Sequence, residues 1–108
     1  MNLKAWRDRL LQEKADLQTL SAGSRDAREA VTLDQQGVGR LSRMDAMQQQ
    51  AMALEAERRR QLQLKRIDAA LQRLENGDFG YCVKCGEPIP QSRLQIDPTS
   101  PTCIDCAR

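Results

Sequence analysis

Residues 79–106 read FGYCVKCGEPIPQSRLQIDPTSPTCIDC, and they hold all four cysteines of the 108-residue chain. The thiols form two C-x-x-C pairs, Cys82/Cys85 and Cys103/Cys106, with 17 residues between the pairs. Zinc takes four soft ligands in a tetrahedron with Zn–S of ~2.3 Å, and each tight C-x-x-C turn supplies two of them. Gly86 follows the second cysteine, where a residue without Cβ can adopt the turn and aim amides at sulfur. The pattern predicts a four-cysteine module with Cys82, Cys85, Cys103 and Cys106 as ligands and one structural zinc ion as cofactor. A thioredoxin-like dithiol site would instead use one C-x-x-C at a helix start within a βαβ unit, and no such unit is visible. A catalytic zinc keeps an open position, and four thiolates leave none.

Between the knuckles, Pro88 and Pro90 stiffen the exit from the first pair. Ile89, Leu94 and Ile96, joined by Phe79 and Tyr81, are the expected core around the metal, with Arg93 solvated. The chain has no histidine, the residue most often used for acid–base catalysis. Nucleophile-elbow, phosphate-loop and paired-carboxylate motifs are also missing. The sequence reads as a non-enzyme with no small-molecule substrate.

Upstream, residues 1 to about 28 carry Leu3, Trp6, Leu10, Leu17 and Leu20 at three- and four-residue spacing, one stripe of an amphipathic helix broken by Glu13. Residues 42–76 carry a second helical pattern. Met44, Met47, Ala51 and Leu54 form one stripe, and Leu64, Ile67, Leu71 and Leu74 another; their offset predicts a stutter in the seam. Arg58, Arg59 and Arg60 point in directions about 100° apart and form no single basic face. Ser42 followed by Asp45 resembles an N-cap with a first-turn acid, and Asn76-Gly77 a C-terminal stop. Two such helices predict an antiparallel coiled-coil hairpin. Leu3, Trp6 and Leu10 would lie near Leu74, Leu71 and Ile67. The tip would fall around 29–41, where Gly37-Val38-Gly39 permits reversal and Val31-Thr32-Leu33 has β-type residues; Gly23 would mark a kink or an earlier turn. The expected fold class is mainly α: a helical hairpin over 1–76, then a small four-cysteine zinc finger over 77–108.

Aromatic residues are 3% of the chain and charged residues 30%, too little apolar material for a large compact core. The formal charge is +2, from 17 basic and 15 acidic side chains. Four thiolates on one divalent cation would bring it to about zero, which argues against strong non-specific DNA binding, and no direct sequence-specific DNA binding is expected either. No apolar run reaches the roughly 18–20 residues of a membrane span. The N-terminus opens directly into the amphipathic pattern without the apolar stretch of a signal peptide. A cytoplasmic protein is expected, and clustered thiols in a reducing compartment favour metal over disulfides.

The stretch GDFGYCVKCGEPIPQSRLQIDPTSPTCIDC, residues 77–106, resembles the zinc-finger signature of the DksA/TraR family of bacterial transcription regulators. The likeness lies in the F-G-Y-C approach, C-G-x-P-I-P after the first pair, and C-I-D-C at the end. The preceding RQLQLKRIDAALQRLENGDFGYC is similar to the coiled-coil arm that leads into that finger. The resemblance implies a protein that binds RNA polymerase and not promoter DNA. Its coiled coil would enter the secondary channel, its tip would reach toward the active site, and its finger would dock on the channel rim. The family's tip motif is D-x-x-D-x-A. Its nearest match here is Ser42 to Met47, with Ser42 at the first acidic place, Asp45 at the second and Met47 at the alanine. Asp34, Ser42, Asp45 and Ala46 are the candidate partner-contacting tip residues. Longer members continue past the last cysteine into another helix, so a chain ending at Arg108 is expected to bind more weakly or in another orientation. Asp97 stands before Pro98, where members responsive to guanosine tetraphosphate carry a basic residue, which predicts a weak response to that nucleotide. The alternative from the same residues is a zinc-stabilised coiled-coil adaptor for another protein.

Overall fold

A computed structural model describes residues 2–29 and 40–107. Five helices follow in order: α1 (Leu3–Gly23), α2 (Arg25–Arg28), α3 (Arg40–Asn76), α4 (Gln91–Ile96) and α5 (Ile104–Ala107). Among the described residues the only β pairing is an isolated antiparallel bridge between Tyr81 and Pro88. The fold is mainly α, as expected, and no described helix is long and apolar enough to cross a membrane. The chain divides into two compact units, residues 1–15 with 63–108, and residues 16–62. Both α1 and α3 contribute to each unit.

Local chemistry sets the helix ends. Asn2 caps α1, its Oδ1 accepting from the Ala5 amide at 3.2 Å. Gly23 does end α1; Ser24, at ψ 5°, separates it from α2. The Ser24 amide still bonds the Leu20 carbonyl at 3.1 Å, so the break is gentle. α3 begins at Arg40, which places Ser42 inside the helix and Asp45 beyond its first turn. The expected cap at Ser42 is therefore corrected: Arg40 and Leu41 are good helix formers and carry the helix past it. At the other end, Gly77 takes φ +80°. The Asp78 amide bonds the Arg73 carbonyl (2.8 Å) and the Gly77 amide bonds Leu74 (3.4 Å), the paired bonds of a Schellman stop. The expected tip residues 30–39, with Asp34, Val31-Thr32-Leu33 and Gly37-Val38-Gly39, lie outside the described residues.

In the first unit α1 and α3 run antiparallel, with Lys14 Nζ bonding Asp68 Oδ1 at 2.8 Å. All the buried apolar side chains among the described residues belong to this unit: Leu10, Ile67, Ala70, Leu74, Phe79, Cys82, Ile89, Leu94 and Pro98. Trp6 meets Phe79 with ring centroids 5.8 Å apart, and the Arg9 guanidinium lies over Trp6 at 5.6 Å. Leu3, expected in this cluster, is exposed.

The second unit is built differently. Met44, Met47 and Leu54, expected in the seam, are exposed, Met44 at 59%. The inward positions of α3 here are Ala46, Gln50, Ala53, Glu57 and Arg60. Their 4-3-4-3 spacing continues without interruption into Leu64, Ile67, Leu71 and Leu74, so the expected stutter is absent. The apolar stripe lies one residue, about 100°, off that phase. Antiparallel pairing in this unit is polar, from Ser21 to Glu57 and from Glu29 to Gln50.

Candidate metal centre

The Schellman stop at Gly77 turns the chain out of α3, and Phe79 is buried beside it. The bridge at Tyr81 and Pro88 then closes a short turn by local hydrogen bonds. The Ile89 amide bonds the Gly80 carbonyl at 2.7 Å, and the Cys82 amide bonds the Glu87 carbonyl at 2.8 Å. Within the turn the Cys85 amide points at Cys82 Sγ (3.5 Å). Gly86, at φ +76°, gives its amide to the Cys82 carbonyl at 2.9 Å. The sequence expectation of a glycine turn there holds, but the Cys85 amide, and not that of Gly86, points at the Cys82 sulfur. Bonds across the knuckles include Val83 amide to Pro101 carbonyl (2.9 Å) and Lys84 Nζ to Cys106 carbonyl (3.5 Å). The second pair sits at the start of α5, closed by the Ala107 amide on the Cys103 carbonyl at 3.0 Å.

The result is that the Sγ atoms of Cys82, Cys85, Cys103 and Cys106 all lie within 4.8 Å of one another, and Cys85 and Cys103 are 3.7 Å apart. A tetrahedron with Zn–S of ~2.3 Å has S–S edges of ~3.8 Å. The donor set therefore fits a zinc ion in number, softness and spacing. Its electrostatics also call for a cation. Burial pushes the Cys82 thiol up, but the backbone amides of Cys85, Cys103 and Lys84 together hold it down at about 6. Hydrogen bonding with Cys103, Cys82 and Cys85 pushes the Cys106 thiol up to about 12. Four thiols this close cannot all ionise by themselves, whereas a divalent cation favours four thiolates. Cys82 is buried, Cys103 and Cys106 are half-buried, and Cys85 is exposed.

The 17-residue loop is tied to α1 and α3 by polar contacts that apolar patterning missed. Arg66 Nη2 bonds Asp97 Oδ2 at 2.9 Å, and Arg9 Nη2 bonds the Gln95 carbonyl at 2.7 Å. Asp97 Oδ1 also accepts from the Thr99 amide (3.0 Å) and hydroxyl (2.6 Å). Burial raises the Asp97 pKa, but Thr99 and Arg66 outweigh it and leave the carboxyl below its ordinary value. Arg93, expected to be solvated, is half-buried and donates from Nε to the Thr102 carbonyl at 3.0 Å. Thr99 and Ser100 are buried, and an Asp followed by Thr two residues later was the available sign of an Asx turn. Of the expected core, Ile89, Leu94 and Phe79 are buried, but Ile96 is 86% exposed and Tyr81 is exposed. Leu94 and Ile96 are two residues apart on the short α4, about 200° around it, so one turns inward and the other outward. Tyr81 alternates with buried Cys82 in the extended segment. Of the tip candidates, Asp45 is exposed and Ala46 half-buried on α3, Ser42 lies within α3, and Asp34 lies outside the described residues.

Residues 77–108 match the family model of the prokaryotic dksA/traR C4-type zinc finger. A Haemophilus influenzae protein, RNA polymerase-binding transcription factor DksA, is 45% identical over 64 residues, covering 56% of this chain and 43% of that protein. A Caulobacter vibrioides protein of the same name is 29% identical over 103 residues, covering 95% of this chain and 66% of the relative. The matched stretch thus spans less than half the length of the Haemophilus protein. The solved structure of transcription factor DksA2 from Pseudomonas aeruginosa is similar with a TM-score of 0.79 and 30% identity, covering 97% of this chain and 79% of that one. The four clustered sulfurs form a C4 finger for one structural zinc ion. Finger, helical arm and whole-chain likeness agree, and the chain belongs to the DksA/TraR family of C4-type zinc-finger proteins.

Proposed function

We propose that this chain is a zinc-binding transcription regulator that binds bacterial RNA polymerase in the cytoplasm and catalyses no reaction itself. Residues 77–108 act as the zinc-held base, with Cys82, Cys85, Cys103 and Cys106 as ligands. Residues 1–76 act as the hairpin arm that enters the secondary channel. Asp34, Ser42, Asp45 and Ala46 are the tip residues directed toward the active site. The observation that carries this reading is the four-cysteine finger joined through a Gly77 stop to one continuous helix, α3, in a chain whose relatives are named RNA polymerase-binding transcription factors. A weak response to guanosine tetraphosphate belongs to this reading, because the Asp97 carboxylate would repel an anionic ligand. When bound, zinc supplies the cross-link that holds the two knuckles together.

The test is capture of RNA polymerase by the zinc-loaded protein, with Asp34→Asn and Asp45→Asn beside it. Capture by all three, with promoter-complex lifetimes changed only by the parent, is expected. A parent that fails to capture polymerase sinks the reading.

A further inference from the structure

The second unit contains no buried apolar side chain among its described residues; its most buried residue is Glu57, 7% exposed. Three chain segments converge on it. From α1, the Ser21 hydroxyl donates to both carboxylate oxygens, at 2.5 and 2.9 Å. From α2, Arg28 Nε lies 3.5 Å from Oε2, and it is buried without a hydrogen-bond partner. From α3 itself, Arg60 and Gln61 donate at 3.2 and 2.9 Å. The partners are also joined to one another: Arg60 Nη2 bonds Ser24 Oγ at 2.8 Å, and Arg28 Nη2 bonds the Ser21 carbonyl at 2.7 Å. Two helical turns earlier on α3, Gln50 Nε2 bonds the carbonyls of Glu29 (2.6 Å) and Arg28 (3.4 Å).

We propose that Glu57, seconded by Gln50, is a positioning residue that fixes the segment 21–29 against α3 in a single register. An apolar seam is non-directional and tolerates small slips of one helix along another. A hydrogen-bonded hub with partners on three segments accepts one register. Replacing buried ionic groups by apolar ones of similar volume is often neutral or stabilising, so stability alone does not call for a carboxylate here. Apolar side chains for a greasy seam exist one residue away, at Met47 and Leu54, and they face outward. The links from Ser21, Ser24, Arg28 and Glu29 tie the segment 21–29 to α3.

The effect on transcription rests on the polymerase reading; the fixing of residues 21–29 does not. The test uses the zinc-loaded full chain, with a triple variant Arg28→Leu, Glu57→Leu, Arg60→Leu, and Gln50→Leu as an independent milder change. Amide NMR signals and polymerase-dependent transcription are read together. The triple variant is expected to keep its melting temperature and polymerase capture, to show exchange-broadened amides over 21–29, and to lose at least tenfold of its effect on promoter-complex lifetime. Gln50→Leu is expected to broaden only residues 26–29, with a smaller functional loss, while Glu57→Gln, which keeps the Ser21 bond but loses the charge, falls between the parent and the triple variant. Sharp parent-like amides in both Leu variants overturn the proposal. If the parent does not capture polymerase, the functional reading fails, and the amide signals alone still decide whether Glu57 fixes the segment.

Discussion

Leu10 and Leu11 are adjacent leucines of one helix, and replacing each by alanine asks where the stability of the first unit resides. Leu10 is fully buried (0% exposed), grouped with Ile67, Ala70, Leu74 and Phe79, whereas Leu11 is 47% exposed. Burying a leucine side chain contributes roughly 1.5–3 kcal/mol, and deleting a fully buried one adds a cavity cost, for about 2–5 kcal/mol in all. At Leu11 about half the transfer is at stake, no closed cavity forms, and alanine is the better helix former, so the cost is about 1 kcal/mol or less. A chain of this size has a total stability of order 5–15 kcal/mol, and Leu10→Ala removes a large share of it. The assay is urea unfolding of zinc-loaded protein, followed by helical circular dichroism and by fluorescence of the single tryptophan, Trp6, which lies in the affected unit. Equal costs at the two positions would refute the burial pattern and the helix rotation it implies.

Two further outcomes follow from the same structure. Removing zinc with a strong chelator is expected to abolish the dispersed NMR shifts of residues 77–107, because the buried residues Ile89 and Leu94 are too few to hold the loop alone; unchanged finger shifts after verified metal loss would contradict this. Acid is expected to loosen the second unit. The Ser21 hydroxyl first, then Gln61, Arg60 and Arg28, hold the Glu57 carboxyl at about 2 against an ordinary 4.5. A depressed folded pKa gives stability that is present above pH 4.5 and lost as pH falls toward 2. Amide exchange over 21–28 in the parent should approach that of Glu57→Gln across that window and differ from it above; a gap that persists to the acid end of the window would show that the carboxylate charge is not what holds the segment.

The finger was legible because its chemistry is written in residue types that have few other uses. Two C-x-x-C pairs, a glycine at the positive φ after the second thiol, and Asn76-Gly77 at the helix end each admit one local structure, and each is present. The loop between the pairs was only half legible. Ile89 and Leu94 could be picked as core from their type, but Arg93 and Asp97 are fixed by carbonyl, hydroxyl and guanidinium partners, which composition does not reveal. Within the seam of α3 only the first stripe was misread, for a definite physical reason. Apolar periodicity selects the greasiest stripe, Met44, Met47, Ala51 and Leu54, whereas helix phase is set by the deeply buried Ile67 and Leu74 in the same continuous helix. Counting back from Leu64 in steps of four and three reaches Arg60, Glu57, Ala53, Gln50 and Ala46, the positions that face inward. That count needs no structure, only the premise that an unbroken helix keeps one seam.

The division of labour between the two units follows from that seam. Apolar burial and the zinc site belong to one unit, while the other relies on Glu57 and its partners. Hydrogen bonds and ion pairs each contribute only about 0.5–1.5 kcal/mol net, and buried ones must first offset desolvation. The polar unit should therefore open at lower free energy than the zinc-bearing one, since local opening begins where apolar contacts are fewest. Its geometry is nonetheless the more closely specified, because a hydrogen bond fails within about an ångström of displacement while an apolar contact adapts. A segment that is cheap to open but has one closed register suits the positioning role proposed for Glu57. The same reasoning explains why the outward methionines do not compete for the seam: bringing them inward would rotate α3 by about 100° and expose Ile67 and Leu74 in the unit that holds the metal.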